Sequence, residues 1–224
     1  SEEDVEFADR SILKKLLEEM HQEVKQLYSS YSAGQVIKSG IPVAIVGQPN
    51  AGKSTLLNKI LQDDRAIVSE IPGTTRDTIE DTIILESVEF RFIDTAGLRK
   101  TGDTIEKMGI ERSLHKVASA WIVVFLFDAT GSIDDVQHAY ELVTKHLDTG
   151  RKIITVANKV DMLDNLIREQ RIGQIANSIG LKVDALVQIS AKKEENIDTL
   201  TGNLVNTAKE MLPDEDSLIV YNTR

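Results

Sequence analysis

The chain has 224 residues, 41% of them hydrophobic, which suits one globular domain of ordinary size plus an appended segment. A formal net charge of -10 argues against a surface that holds nucleic acid by counterion release. With Cys at zero there is no disulfide framework and no cysteine metal site, and no apolar run reaches membrane-spanning length. The acidic start, Ser-Glu-Glu-Asp, is unlike a signal or transit peptide, so the chain is expected in the cytoplasm.

Residues 9–39 contain few helix breakers. Leu13, Leu17, Met20, Val24, Leu27 and Tyr31 step alternately by four and three, which predicts one long helix with an apolar seam. A single helix cannot bury that seam against itself, so residues 1–40 read as a segment of an incomplete helical domain, the alternative being a helix that folds back on the main domain or self-associates. From residue 41 to 212 strand and helix patterns alternate, the mark of a mostly parallel α/β sheet. Strands are expected at 41–47, 78–86, 89–94, 121–128, 152–158 and 185–190, and helices near 53–61, 104–118, 133–147, 164–179 and 196–211. The second and third strands are joined too tightly for a crossover and should form an antiparallel hairpin. The run Trp121–Phe127 is apolar throughout, which predicts a central strand covered on both faces with Trp121 in the core. Pro213 and the acidic residues behind it end the domain, and 213–224 read as the start of a return into the helical segment.

The first strand ends in Gly47-Gln48-Pro49-Asn50-Ala51-Gly52-Lys53-Ser54-Thr55, a G-x-x-x-x-G-K-S loop opening a helix. Glycines let backbone N–H groups turn inward at phosphate oxygens, and the helix N-terminus adds partial positive charge. Residues Asn50 to Thr55 are therefore assigned to nucleotide binding, with Lys53 reaching the β- and γ-phosphates and Ser54 a ligand of Mg²⁺. The fold class predicted is a phosphate-loop NTPase, with a six-stranded mostly parallel sheet preceded by the long helix.

Asp94-Thr95-Ala96-Gly97 follows an apolar strand, the place of the Mg²⁺-side carboxylate, and Gly97 lets its backbone approach the γ-phosphate. Thr75 lies in a breaker-rich loop where a hydroxyl completes the Mg²⁺ shell only while γ-phosphate is present. The loops at 63–77 and 95–110 are thus the expected switches. Base choice falls to Asn158-Lys159-Val160-Asp161 at the end of a buried strand. The Asp161 carboxylate accepts from guanine N1–H and N2–H₂, a pattern adenine lacks, while Lys159 lays its stem along the base. Ser190-Ala191-Lys192 ends the next strand, where backbone N–H groups meet guanine O6.

The finer spelling, Pro49-Asn50-Ala51-Gly52-Lys53-Ser54-Thr55-Leu56-Leu57-Asn58, Ala66 to Asp77, Ile93 to Arg99 and Gly109-Ile110-Glu111-Arg112-Ser113, resembles the MnmE (TrmE) family of tRNA-modification GTPases almost continuously over residues 1–224. Gly109 to Ser113, together with the leading helix, separates it from the ribosome-assembly relatives Era and Der. The resemblance implies a GTPase domain, 41–212, set within a central helical domain that follows a folate-binding domain. It also implies work at C5 of the wobble uridine of tRNA with the flavoprotein MnmG. This chain spells neither a folate site nor the family's C-terminal cysteine motif, so it reads as a fragment.

Leu98 stands where Ras-like GTPases carry a water-orienting Gln, and Leu cannot hydrogen-bond water. Asp103, Glu106 and Glu111 are the carboxylates near enough in sequence, and the family resemblance selects Glu106. Asn50, with the backbone carbonyls of Ser69 and Ile71, offers oxygens to a monovalent cation, or is a plain loop residue. In the resembled family that cation is K⁺, and it supports a homodimer formed face to face through the GTPase domains. The alternatives are a ribosome-assembly GTPase of the Era/Der type, and a nucleotide-gated dimerisation module in which hydrolysis is only a timer.

Overall fold

The computed structural model describes residues 12–24, 39–62, 67–68, 81–93 and 117–212. The chain divides into two compact units, 1–38 and 39–224. In the first, residues 12–24 are helical, as the seam predicts. Leu13, Leu17, Met20 and Val24 are all more than half exposed, and Lys14–Glu18 and Lys15–Glu19 flank them as i,i+4 pairs at 4.0 Å. Residues 9–11 and 25–38 of the expected helix lie outside the described residues.

The second unit is a seven-stranded sheet in the order β2-β3-β4-β1-β5-β6-β7. The strands are β1 Ile41–Gly47, β2 Ile67–Val68, β3 Asp81–Leu85, β4 Val88–Phe92, β5 Ile122–Asp128, β6 Lys152–Asn158 and β7 Leu186–Gln188. All six strands expected from the sequence are present, and among the described residues their ends fall within three residues of the expected ones. The seventh, β2, is a two-residue edge strand antiparallel to β3, too short to show any periodicity. β3 and β4 form the expected antiparallel hairpin, with Leu85 opposite Val88. Its two-residue turn puts both Glu86 (φ 46°) and Ser87 (φ 69°) in the left-handed region, the turn whose twist matches two right-twisted strands.

The helices are α1 Lys53–Leu61, α2 Ile133–Lys145, α3 Asn165–Ser178 and α4 Ile197–Met211, and residues 117–119 are also helical. The expected helix at 104–118 falls mostly outside the described residues. Local chemistry sets the starts of α2 and α3. The Ser132 hydroxyl accepts from the Asp135 N–H at 3.3 Å, and the Asp164 carboxylate accepts from the Leu166 N–H at 2.9 Å.

β1 and β5 are the spine, pairing in parallel from Val43↔Ile122 to Gly47↔Leu126. Residues 122–127 are fully buried, and their alternation serves two layers. Val123, Phe125 and Phe127 join Val136, Ala139 and Val143 of α2 and Ile172, Ile175 and Ala176 of α3 in one cluster. Phe125 meets the Tyr140 ring edge-on, 5.4 Å between centroids. Ile122, Val124 and Leu126 point the other way, towards the layer in which α4 packs on α1, β5 and β6. Trp121, expected in the core, is instead half-buried just before β5, with the Arg151 guanidinium 5.5 Å from its ring centroid.

Strand order positions the site. From β1 the chain moves to β4 on one side and later to β5 on the other. That reversal leaves a crevice at the C-terminal ends of parallel strands, where α/β sheets bind ligands. Phe125→Ala should lower unfolding stability by about 3–5 kcal/mol in urea titration, because it empties a position surrounded on all sides.

Candidate functional site: a phosphate loop joined to a base-recognition rim

At the end of β1 the backbone is pressed against its neighbour. Gly47 has φ 152°, and a Cβ there would sit 1.9 Å from the Leu126 carbonyl oxygen. At the far end of the loop Gly52 has φ 96°, and a Cβ there would lie 2.3 Å from Asn158 Nδ2. Both glycines are therefore obligatory, one for clearance from β5 and one for clearance from β6. Between them Asn50 is exposed and left-handed (φ 60°), at the apex of the loop.

α1 begins at the loop with no side-chain cap and no acidic residue in its first turn. Its N-terminal field is therefore left to whatever fills the loop, which favours an anion. The Lys53 ammonium folds back over the mouth of the loop, donating to the Gly47 carbonyl at 3.2 Å and the Gln48 carbonyl at 2.6 Å. Ser54 is half-buried and Thr55 exposed in the first turn of α1.

Asn158, 2% exposed, ties this loop to the next two. Its Nδ2 donates to the Ala51 carbonyl at 2.7 Å, and its Oδ1 accepts from the Ala191 N–H at 3.0 Å. One amide thus joins the phosphate loop to the end of β6 and to the loop after β7, across more than a hundred residues of chain. Lys159, left-handed at φ 64°, pairs through its ammonium with Asp128 Oδ2 at 2.7 Å.

The Asp161 side chain is 10% exposed, with the Lys193 ammonium 3.7 Å away. The hydrogen bond from the Ser190 hydroxyl holds its carboxyl below the usual value, against the opposing effect of burial, and the charges of Lys193 and Lys192 help. Ser190 is itself fully buried, and its oxygen accepts from the Lys193 N–H at 3.2 Å. Lys192 is exposed. At Asp128, burial pushes the carboxyl up, but hydrogen bonds from Lys159 and from the Thr130 hydroxyl and N–H outweigh it, and the group ends below its ordinary 3.8.

Of the residues assigned from sequence, Asn50 to Thr55, Asn158, Lys159, Asp161, Ser190, Ala191 and Lys192 come together on this rim. Ser69, Ile71, Thr75, Asp94, Gly97 and Glu106 lie outside the described residues. The sequence reading overlooked Asp128, Thr130, Lys193 and Arg171. Asp128 could have been found as the polar residue closing an apolar parallel strand. Arg171, which donates from α3 to the carbonyls of Ala129 and Gly131, left no local signal.

A parallel sheet with its glycine loop at the switch point, and an Asn-Lys-x-Asp rim beside it, defines a phosphate-loop GTPase domain. Residues 42–159 match the family of 50S ribosome-binding GTPases, and the chain belongs to that family. Along its whole length it is 43% identical to the tRNA modification GTPase MnmE of Bacteroides fragilis, of which it covers 48%. It is 44% identical to that of Cytophaga hutchinsonii, of which it covers 46%. The chain thus spans about half the length of the curated relatives it matches. A solved structure of Era from Aquifex aeolicus bound to GDP and aluminium fluoride is similar at 30% identity and a TM-score of 0.52, over 77% of this chain and 57% of that one. A GTP-binding protein from Sulfolobus solfataricus with GDP shares the fold at 16% identity and a TM-score of 0.55, over 88% of this chain and 61% of that one.

Two outcomes follow. Asn158→Ala leaves the Ala51 carbonyl and the Ala191 N–H unpaired in a buried place, and should cost about 2–4 kcal/mol in denaturant unfolding. The second concerns acid. Asp128 and Asp161 have folded values below the ordinary 3.8, so their stabilisation is complete above that pH and is lost as pH falls through the lower folded values. Stability measured below pH 4 should therefore fall less steeply in Asp128→Asn than in the parent chain.

Proposed function

We propose that this chain is the GTP-binding and GTP-hydrolysing domain of a cytoplasmic tRNA wobble-uridine modification GTPase, with residues 1–40 and 213–224 belonging to a helical domain of the longer protein. The observation that carries the reading is the Asn158 amide, which holds the phosphate loop and the base rim as one unit beside an ionised Asp161. The end-to-end likeness to MnmE supports the finer assignment.

In this reading, backbone N–H groups of Asn50 to Thr55 and the α1 N-terminus hold the phosphates. Lys53 leaves the Gly47 and Gln48 carbonyls for the β- and γ-phosphate oxygens. Asp161, already ionised and set by Ser190, accepts from guanine N1–H and N2–H₂. An adenine there would turn its N1 lone pair towards the carboxylate and offer no N2–H₂, so the two donors that guanine supplies would be missing. The Ala191 N–H is bonded to Asn158 and the Lys193 N–H to the Ser190 oxygen, so guanine O6 is met by the Lys192 N–H.

Ser54, Thr75 and Asp94 supply oxygen donors of the kind Mg²⁺ takes, and the bound ion would neutralise charge on the β- and γ-oxygens. Asn50, exposed at the loop apex, with the carbonyls of Ser69 and Ile71, offers oxygens suited to K⁺, whose charge would serve in place of an arginine finger. Glu106 orients the attacking water, since Leu98 cannot. The Gly97 backbone follows the γ-phosphate and reports its loss. Two GTPase domains then pair face to face while the γ-phosphate position is filled, and MnmG and tRNA are the partners of the longer protein.

The test measures mass and GTP turnover of this chain in K⁺ and in Na⁺ at equal ionic strength, with GDP and aluminium fluoride for the mass. A dimer in K⁺ alone, with faster turnover there, is expected. Equal rates and masses in the two salts would remove the potassium claim, and a dimer with any nucleotide would favour the interaction module.

A further inference from the structure

One side chain outside all the nucleotide motifs has both carboxylate oxygens committed to the rim. Asp128 is the last residue of β5, and its side chain is 21% exposed. Its Oδ2 accepts from the Lys159 ammonium at 2.7 Å, and its Oδ1 accepts from the Thr130 N–H at 2.9 Å and the Thr130 hydroxyl at 2.7 Å. The short loop that follows is pinned from three sides. The Gly131 N–H returns to the Asp128 carbonyl at 3.0 Å, and the Ala129 N–H donates to the Asn158 carbonyl at 2.9 Å. From α3, the Arg171 guanidinium donates to the Ala129 carbonyl at 3.3 Å and to the Gly131 carbonyl.

Lysine is a compact charge on a flexible four-carbon stem, and unpaired it samples many rotamers. Here the backbone of Lys159 is left-handed, between Asn158 and Asp161, and its ammonium is tied to one fixed carboxylate. A stem held at both ends is already ordered before a base arrives, so the ordering is not charged to binding. Charge-assisted pairing at 2.7 Å with low exposure on both sides is the strong form of this bond.

Resting on the guanine-site reading above, we propose that Asp128 is a positioning residue for the purine base. It holds the Lys159 stem along the face the base occupies, and Arg171 keeps its loop in place. Base affinity therefore depends on an ion pair that lies outside the Asn-Lys-x-Asp motif. Asp128 itself touches no nucleotide; it acts through the lysine.

The experiment is calorimetry of GDP and ADP binding to this chain, with thermal unfolding recorded for each variant. Asp128→Asn should weaken GDP about tenfold, the scale of one hydrogen bond to a charged group. Placed on Lys159→Met, the same substitution should weaken it by less than about twofold, because the group it acts through is gone. A purely structural role would cost the same in both backgrounds, and that result overturns the proposal, as does unchanged affinity in Asp128→Asn. Should Asp128→Asn fail to fold, Thr130→Val decides. It removes one bond to the carboxylate and should weaken GDP about threefold only when Lys159 is present; no change overturns the proposal. A parent chain that holds ADP as tightly as GDP would overturn the guanine reading and this proposal with it. A parent that prefers GDP while the Asp128 variant binds equally well would overturn this proposal alone.

Discussion

The buried amide of Asn158 is the constraint on which the rest of the site depends. A side-chain amide offers one acceptor and two donors on a rigid plane, so it can bridge a carbonyl and an N–H that belong to different loops. Here it spans Ala51 and Ala191, two backbone groups that would otherwise lie unpaired in a dry interior. Neither loop has regular secondary structure to satisfy it. Their placement relative to each other is held by this residue at the end of β6, which is in turn held by the parallel ladder to β5.

Clearance matters as much as bonding. The phosphate loop lies so close to β5 and β6 that Cβ atoms at positions 47 and 52 would collide with the Leu126 carbonyl and the Asn158 amide itself. The glycines are thus what allow the amide to reach. A loop standing further off would need a longer side chain in place of Asn158, whose extra rotatable bond would hold the amide plane less firmly against both partners.

Charge is organised by the same principle of local commitment. The chain as a whole carries a net charge of -10, yet the carboxylates of Asp128 and Asp161 on the rim are both held ionised by near donors. Asp161 is set by Ser190 and the lysines at 192 and 193, and Asp128 by Lys159 and Thr130. The Lys53 ammonium, facing the phosphate loop, is occupied with the loop's own carbonyls. Lys53 can exchange these carbonyls for phosphate oxygens at little cost in desolvation, because it is paired already.

The sequence by itself determined the strand-and-helix order, the hairpin and the nucleotide motifs. Those signals are local: apolar runs such as 122–127, a glycine loop before Lys53, an Asn-Lys-x-Asp ending a strand. It also carried the family spelling, since the motifs are contiguous words. What only the tertiary structure decided is how words far apart in the chain meet. That Asn158 would commit its amide to Ala51 and Ala191, or that Lys193 would form the ion pair with Asp161, depends on register between elements. Arg171 was invisible because its partners are backbone carbonyls, which every residue has. The edge strand at 67–68 was invisible for a related reason: two residues have no period, and only the neighbouring hairpin gives them a ladder to join.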